Sequence, residues 1–190
     1  MTSLLDENEY FDTQDHLKRL KAGSVLLSGE ALKDPNFDSS VVLICVHNSE
    51  GTYGLVLNRV AHMPLGEIFE GLNSLQLNRE IFMGGPVRQE ELQILQITNN
   101  AAEGAFEILP GYYLGGKWDD FSQIIESDPA SVKFFLGYSG WSPGQLESEI
   151  KAGAWYVYNV ALEKLFAHTE KLSAEPISDL ARYLNTISTP

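Results

Sequence analysis

Residues 40–59 read SVVLICVHNSEGTYGLVLNR, two apolar runs on either side of a short polar loop that contains glycine. Such a pattern folds back on itself, so SVVLICVH and YGLVLNR are expected to pair as a β-hairpin across the NSEGT turn. Further strands are read at VLLS 25–28, REIFM 79–83, ELQILQIT 91–98, AFEIL 105–109, GYYLGG 111–116 and WYVYNV 155–160. Helical spacing is rarer. PLGEIFEGL 64–72 places Leu65, Ile68, Phe69 and Leu72 on one face behind Pro64, DDFSQIIES 119–127 has a helical pattern, and ISDLARYL 177–184 presents Ile177, Leu180, Ala181 and Leu184 together. Strands outnumber helices and come in clusters without a regular βαβ alternation. The expected fold is therefore α+β, one domain with a mostly antiparallel, strongly curved or barrel-like sheet surrounded by helices.

A chain of 190 residues supports one sizeable core, and the domain is expected over residues 23–190. Residues 1–22, rich in acidic and amide side chains until LKRLKAG, read as a loosely attached extension or a short surface helix. The 26 Asp and Glu against 13 Lys and Arg leave a net charge of −13, which repels phosphate and disfavours direct nucleic-acid binding. VVLICV at 41–46 is the longest apolar run, far short of a bilayer span, and MTSLLDENEYFD has neither a cationic flank nor an apolar signal core. A single cysteine, Cys45, forms no intrachain disulfide. These features together lead to the expectation of a cytoplasmic protein with no membrane association.

Three motifs approach known chemistry and fall short of it. VKFFLGYSGWSPGQLESEI, residues 132–150, suggests a strand, a sharp glycine turn and a helix with Ser139 at the bend. Trp141 stands where a nucleophile elbow needs its last glycine, and the acids before His168 (Glu147, Glu149, Glu163) make a weak triad. Ser142 as N-cap, Pro143 at the first helical position and Gln145 at the third form a capping box that explains the same stretch. GYYLGGKW, residues 111–118, satisfies G-x-x-x-x-G-K but puts Trp118 in place of the magnesium-binding hydroxyl. Cys45 and His47 share a strand face, which is too few ligands for a metal site, and His47 is expected to order the NSEGT turn. No cofactor is expected. A small hydrolase or nucleotide-utilising enzyme built on Ser139 or the 111–118 loop stands as the alternative to a non-enzymatic binding protein.

DPNF at 34–37, VVLICVHNSEGTYGLVLNR at 41–59, GGPV at 84–87 and GYSGWSPGQLESEI at 137–150 followed by GAWYV together resemble the AlgH/YqgE family of bacterial proteins. The blocks follow the family's order over about residues 23–170. Val60 stands where the family commonly has proline after the Asn-Arg pair, and ILQIT lacks a histidine often found after GGPV. The resemblance implies a small closed barrel-like sheet surrounded by helices and a regulatory role. The family is described as candidate transcriptional regulators or as proteins of unknown function, and its name-giving member is linked to control of alginate production. Matching motif positions are Asp34, Pro35, Asn36, Phe37, His47, Asn58, Arg59, Gly84, Gly85, Pro86, Gly137, Tyr138, Gly140, Trp141, Gln145 and Glu147. From these the candidate binding cluster is Asn36, His47, Asn58, Arg59, Gly84, Gly85, Tyr138, Trp141, Gln145 and Glu147, facing a protein or small-molecule partner. The hairpin also brings Asn58 and Arg59 beside the DPNF turn, where Arg59 is expected to clamp the turn with the Asp34 carboxylate as acceptor.

Overall fold

The computed structural model of the chain describes residues 12–68, 78–117, 120, 131–168, 172–173 and 176–190. Its strands are β1 (Val25–Ser28), β2 (Val41–Asn48), β3 (Gly51–Val56), β4 (Val60–Pro64), β5 (Glu80–Met83), β6 (Val87–Ile97), β7 (Phe106–Leu109), β8 (Tyr112–Leu114), β9 (Val132–Trp141) and β10 (Trp155–Tyr158). The helices are α1 (Thr13–Arg19), α2 (Gln145–Lys151), α3 (Leu162–Ala167) and α4 (Ile177–Thr186). The strands form one sheet in the order β10-β1-β2-β3-β9-β6-β8-β7, with β5 also paired to β9 and β4 to β5. Every pairing is antiparallel except β5 with β9. The sheet is open, with β10 and β7 at its ends, which corrects the closed barrel implied by the family resemblance.

The hairpin forms as expected, with Asn48 opposite Gly51 at its tip and Val42 opposite Val56 at its base. Its arms are apolar at nearly every position because this part of the sheet is covered on both faces. Val41, Leu43, Cys45 and Leu55 join a core with Leu162, Leu165 and Phe166 of α3 and Leu180 and Leu184 of α4. Val42, Ile44 and Val56 point to the other face, against Leu20, Phe37, and Leu146 and Ile150 of α2. A third core holds Ala61, Leu65, Ile81, Ile94, Val132 and Phe134.

Several segments differ from the sequence reading. The stretch through Ser139 does not turn into a helix, because β9 continues to Trp141 and the glycine at 137 bends the strand without ending it. The ELQILQIT strand begins earlier, at Val87, so that GGPV leads straight into β6. Residues 64–72, expected as a helix, supply the last residue of β4 and a 3-10 turn at Leu65–Glu67, and residues 69–72 lie outside the described ones. Of the expected helix at 119–127, only Asp120 is described. The 12–22 stretch contains α1, capped by Asp12, whose carboxylate accepts from the amides of Gln14 and Asp15.

β9 bridges the two halves of the sheet. Phe134, Phe135 and Leu136 lie between β5 and β6, while Ser139, Gly140 and Trp141 pair with β3. The hand-over needs a bend at Gly137, which has φ +67°, in the left-handed region that side chains disfavour. A Cβ there would stand 2.7 Å from the carbonyl oxygen of Gly85 and 2.8 Å from that of Val87. Gly137→Ala is expected to destabilise the fold by about 3 kcal/mol or more, combining strain with overpacking. Gly144→Ala, at φ +75° in open space, should lose only about 1 kcal/mol, a contrast that urea denaturation of both variants measures.

Candidate functional site

The candidate cluster divides into three local groups. The first surrounds the DPNF turn, a 3-10 turn at Pro35–Phe37 preceding β2. Asp34 caps it, one carboxylate oxygen accepting from both the backbone amide and the side-chain amide of Asn36 at 2.9 Å. Phe37 anchors it by packing against Trp141 and Trp155 at centroid distances of 5.8 and 5.5 Å. Arg59 clamps it from outside, donating Nη1 to the Asn36 carbonyl at 2.5 Å and Nη2 to the Asp38 carbonyl at 3.2 Å. The clamp is the one the hairpin register implies, but its acceptors are backbone carbonyls rather than the Asp34 carboxylate, which is engaged in capping. Asn58 adds a second tie, accepting from the Val41 amide at 2.9 Å and donating to the Ser39 carbonyl at 2.8 Å. Between these ties Ser39 is held at φ +52°, a conformation uncommon for a residue with a side chain.

The second group lies where the hairpin tip meets α2. His47 Nδ1 is 2.8 Å from the Thr52 hydroxyl across the turn, and its Nε2 is 3.7 Å from a Glu147 carboxylate oxygen. Hydroxyl, imidazole and carboxylate thus follow the order used in nucleophilic catalysis. Thr52, however, is only 7% exposed and, within β3, is paired with His47 of β2 and Trp141 of β9, and the imidazole–carboxylate separation exceeds a hydrogen bond. Gln145 accepts from the Ser142 amide, the expected return bond of the capping box, and donates to Glu149. Gly144 rather than Ser142 occupies the cap position, so the helix starts at Gln145. Glu149, weighed in the sequence only as an acid of a weak triad, was left out of the candidate cluster. One of its oxygens accepts from both indoles, Trp141 at 2.9 Å and Trp155 at 2.8 Å, and its i,i+4 spacing from Gln145 was the available signal.

The third group is the crossing of Gly84 and Gly85 with β9. A Cβ on Gly84 would lie 2.4 Å from the Gly137 carbonyl oxygen, and one on Gly85 2.3 Å from that of Tyr138. Ser139 donates its hydroxyl to the Gly84 carbonyl at 3.0 Å and has no solvent exposure, so it ties two backbones together and is not presented to a substrate. Tyr138 stacks on Tyr53 with centroids 4.5 Å apart. Burial, followed by the neighbouring Cys45, Tyr138 and Glu91, pushes the Tyr53 phenol up, and its enclosed hydroxyl has no hydrogen-bond partner among the described residues. Burial alone pushes up the Cys45 thiol, which disfavours the reactive thiolate.

A cleft of about 370 Å³ opens beside the first group. Ser28, Glu30, Lys33, Asp34, Asp38 and Ser39 supply its polar lining, with Leu32 and Ile177 as apolar wall, and none of the ten residues of the candidate cluster lines it. The glycine-rich 111–118 segment builds no phosphate cradle at its centre, because Tyr112–Leu114 is β8, paired with β6 and β7. Trp118 lies outside the described residues. Among the described residues, no group of three or more His, Cys, Asp or Glu is placed to hold a metal ion. No helix among them is long and apolar enough to cross a membrane.

An open, mostly antiparallel ten-stranded sheet with glycine-packed crossings and a clamped turn beside a cleft defines an α+β class of protein. Residues 25–177 match the AlgH-like family model, and the chain belongs to that family, as the DPNF, GGPV and GYSGW blocks suggested. A UPF0301 protein of Chlorobaculum tepidum is 37% identical over 150 residues, covering 77% of this chain and 79% of that protein. A UPF0301 protein of Myxococcus xanthus is 36% identical over 156 residues, covering 80% and 85%. The solution structure of the AlgH protein from Pseudomonas aeruginosa superposes with a TM-score of 0.71 at 23% identity, over 95% of this chain and 90% of that one. The crystal structure of protein DIP2367 from Corynebacterium diphtheriae gives 0.66 at 19% identity, over 98% and 95%. At these identities the two structures speak for the fold.

Arg59→Lys is expected to weaken the fold by about 1 kcal/mol, since a single ammonium does not reproduce the fork that spans two carbonyls. The midpoint of urea unfolding checks this, with Arg59→Ala expected to lose at least as much. Tyr53→Phe is expected to leave stability unchanged or raise it by up to about 1 kcal/mol, because it removes a buried polar atom that has no partner among the described residues. A loss on thermal unfolding would reveal a bond to that hydroxyl.

Proposed function

We propose that this AlgH-like chain is a non-enzymatic binding protein of the cytoplasm, and that it exerts a regulatory role by taking a small polar ligand in the cleft beside the 34–39 turn. The observation that carries this reading is the cleft itself: Asp34, Pro35, Asp38 and Ser39 of its lining belong to a turn tied down by Arg59, Asn58 and Phe37. Rigidity in the free protein lowers the ordering cost of binding. A volume of about 370 Å³ lies within the range of small-molecule sites. Lys33 together with Glu30, Asp34 and Asp38 in the lining suits a ligand that carries both charge signs.

The groups that would argue for catalysis are occupied otherwise. Ser139 bonds a backbone carbonyl in a closed crossing, and Tyr112–Leu114 of the 111–118 segment is strand. The −13 net charge favours regulation through a ligand or protein over direct contact with DNA.

A thermal-shift screen of small zwitterionic and polyhydroxylated metabolites tests the reading. A hit should raise the melting temperature of the wild-type chain and lose its effect in Lys33→Glu and Asp38→Lys variants that unfold normally without ligand. Substrate turnover abolished by Ser139→Ala, or saturable DNA binding at low ionic strength, contradicts the reading.

A further inference from the structure

Ser28 ends β1 and is only 2% exposed, yet it lines the cleft beside the 34–39 turn. Its backbone amide donates to the Ser40 carbonyl at 3.0 Å, and its hydroxyl oxygen accepts from the Ser40 amide at 3.0 Å. Both donors are main-chain N–H groups, so the direction of each bond is fixed. A serine hydroxyl has one hydrogen besides its two lone pairs, and the Ser40 amide engages a lone pair alone. Among the described residues nothing accepts that hydrogen. A buried donor without an acceptor is costly, and the cleft gives an incoming acceptor a way to it.

The charges of the lining narrow what that acceptor belongs to. Glu30, Asp34 and Asp38 bring three negative charges against one positive charge on Lys33, a net −2 at neutral pH. All four residues are exposed. Lys33 forms no ion pair among the described residues. The neighbouring Arg59 donates to the carbonyls of Asn36 and Asp38, and one oxygen of Asp34 takes both bonds from Asn36, which leaves its other oxygen open.

We propose that the ligand of the cleft is a basic α-amino acid and that Ser28 selects its carboxylate. This ligand class rests on the binding role given above. The carboxylate accepts the Ser28 hydroxyl hydrogen and an N–H of Lys33, while the α-ammonium and the side-chain cation pair with Glu30, Asp34 and Asp38. Two positive charges and one negative charge on the ligand thus complement the lining. A hydroxyl bonded to a carboxylate makes a charge-assisted bond, stronger than one to a neutral acceptor. A polyamine leaves Lys33 and the Ser28 hydrogen without a partner. An acidic amino acid is repelled by the three carboxylates, and a neutral one leaves more of their charge uncompensated. Leu32 and Ile177 supply apolar surface for the methylene stem of a basic side chain.

NMR titration of the full, nitrogen-labelled chain with L-arginine and two analogues tests this. Agmatine lacks the carboxylate of arginine, and L-citrulline lacks its side-chain cation. L-Arginine should shift the amides of Gly29, Lys33 and Ser39 saturably, and each analogue should bind at least about tenfold more weakly through loss of a charged partner. Ser28→Ala should weaken L-arginine about tenfold and leave agmatine unchanged, since agmatine brings no carboxylate to the hydroxyl. A merely structural role for Ser28 weakens both ligands alike. Ser28→Cys keeps an acceptor for the Ser40 amide but donates only weakly, and it repeats the comparison if the alanine variant does not fold. Equal weakening of L-arginine and agmatine in these variants overturns the proposal, as does either analogue binding as tightly as L-arginine. If a metabolite of another class shifts the three amides and L-arginine does not, the ligand class falls and the binding role stands. If nothing shifts them, both fall.

Discussion

The contact of Gly84 and Gly85 with the middle of β9 governs how the rest of the chain is arranged. Two backbones meet there with no room for a Cβ on either side, and the Ser139 hydroxyl closes the gap by bonding the Gly84 carbonyl. The Gly84 carbonyl also accepts from Val56, and the Gly84 amide donates to Leu136. That single residue therefore ties β3 to β9. Because β9 bends at Gly137, its first half can sit between β5 and β6 while its last residues join the hairpin. Phe135, Phe134 and Trp141 are thereby delivered to three different cores.

Polar side chains in this fold serve mainly to hold irregular backbone. Arg59 and Asn58 spend their hydrogen bonds on carbonyls and an amide of the 36–41 segment, Asp34 on the start of its turn, and Glu149 on two indoles. Irregular segments lack ladder partners, and unpaired buried backbone groups are costly, so side chains must satisfy them. The outcome is a rigid turn standing next to an open cleft, a combination that suits binding without implying a reaction.

Much of this was legible in the chain. The β2–β3 hairpin, β1, α4 and the family itself follow from apolar period, turn residues and block order, all of which are local. The corner of Asn58, Arg59 and DPNF was also foreseeable, since a hairpin of known register fixes which residues share an end. The acceptors in that corner were not, because whether a guanidinium meets a carboxylate or a carbonyl depends on where the turn directs its peptide groups. Ser139 was misplaced as the bend of a strand–turn–helix for a related reason. Glycine at 137 signals a departure from regular backbone, and only the partner strands decide whether that departure ends the strand or bends it.

The sequence by itself determined the class, the hairpin, the net negative charge and the lack of a complete catalytic motif, because these rest on residue type and short-range spacing. Tertiary structure alone decided that the sheet stays open, that the candidate residues fall into three groups, and that the cleft forms from residues such as Ser28, Lys33 and Asp38 that no motif marked. It also decided that His16 meets Val157, 141 positions away in the chain. Such pairings are set by how strands hand over from one neighbour to the next, and that depends on close backbone contacts between segments whose glycines carry no pattern of their own.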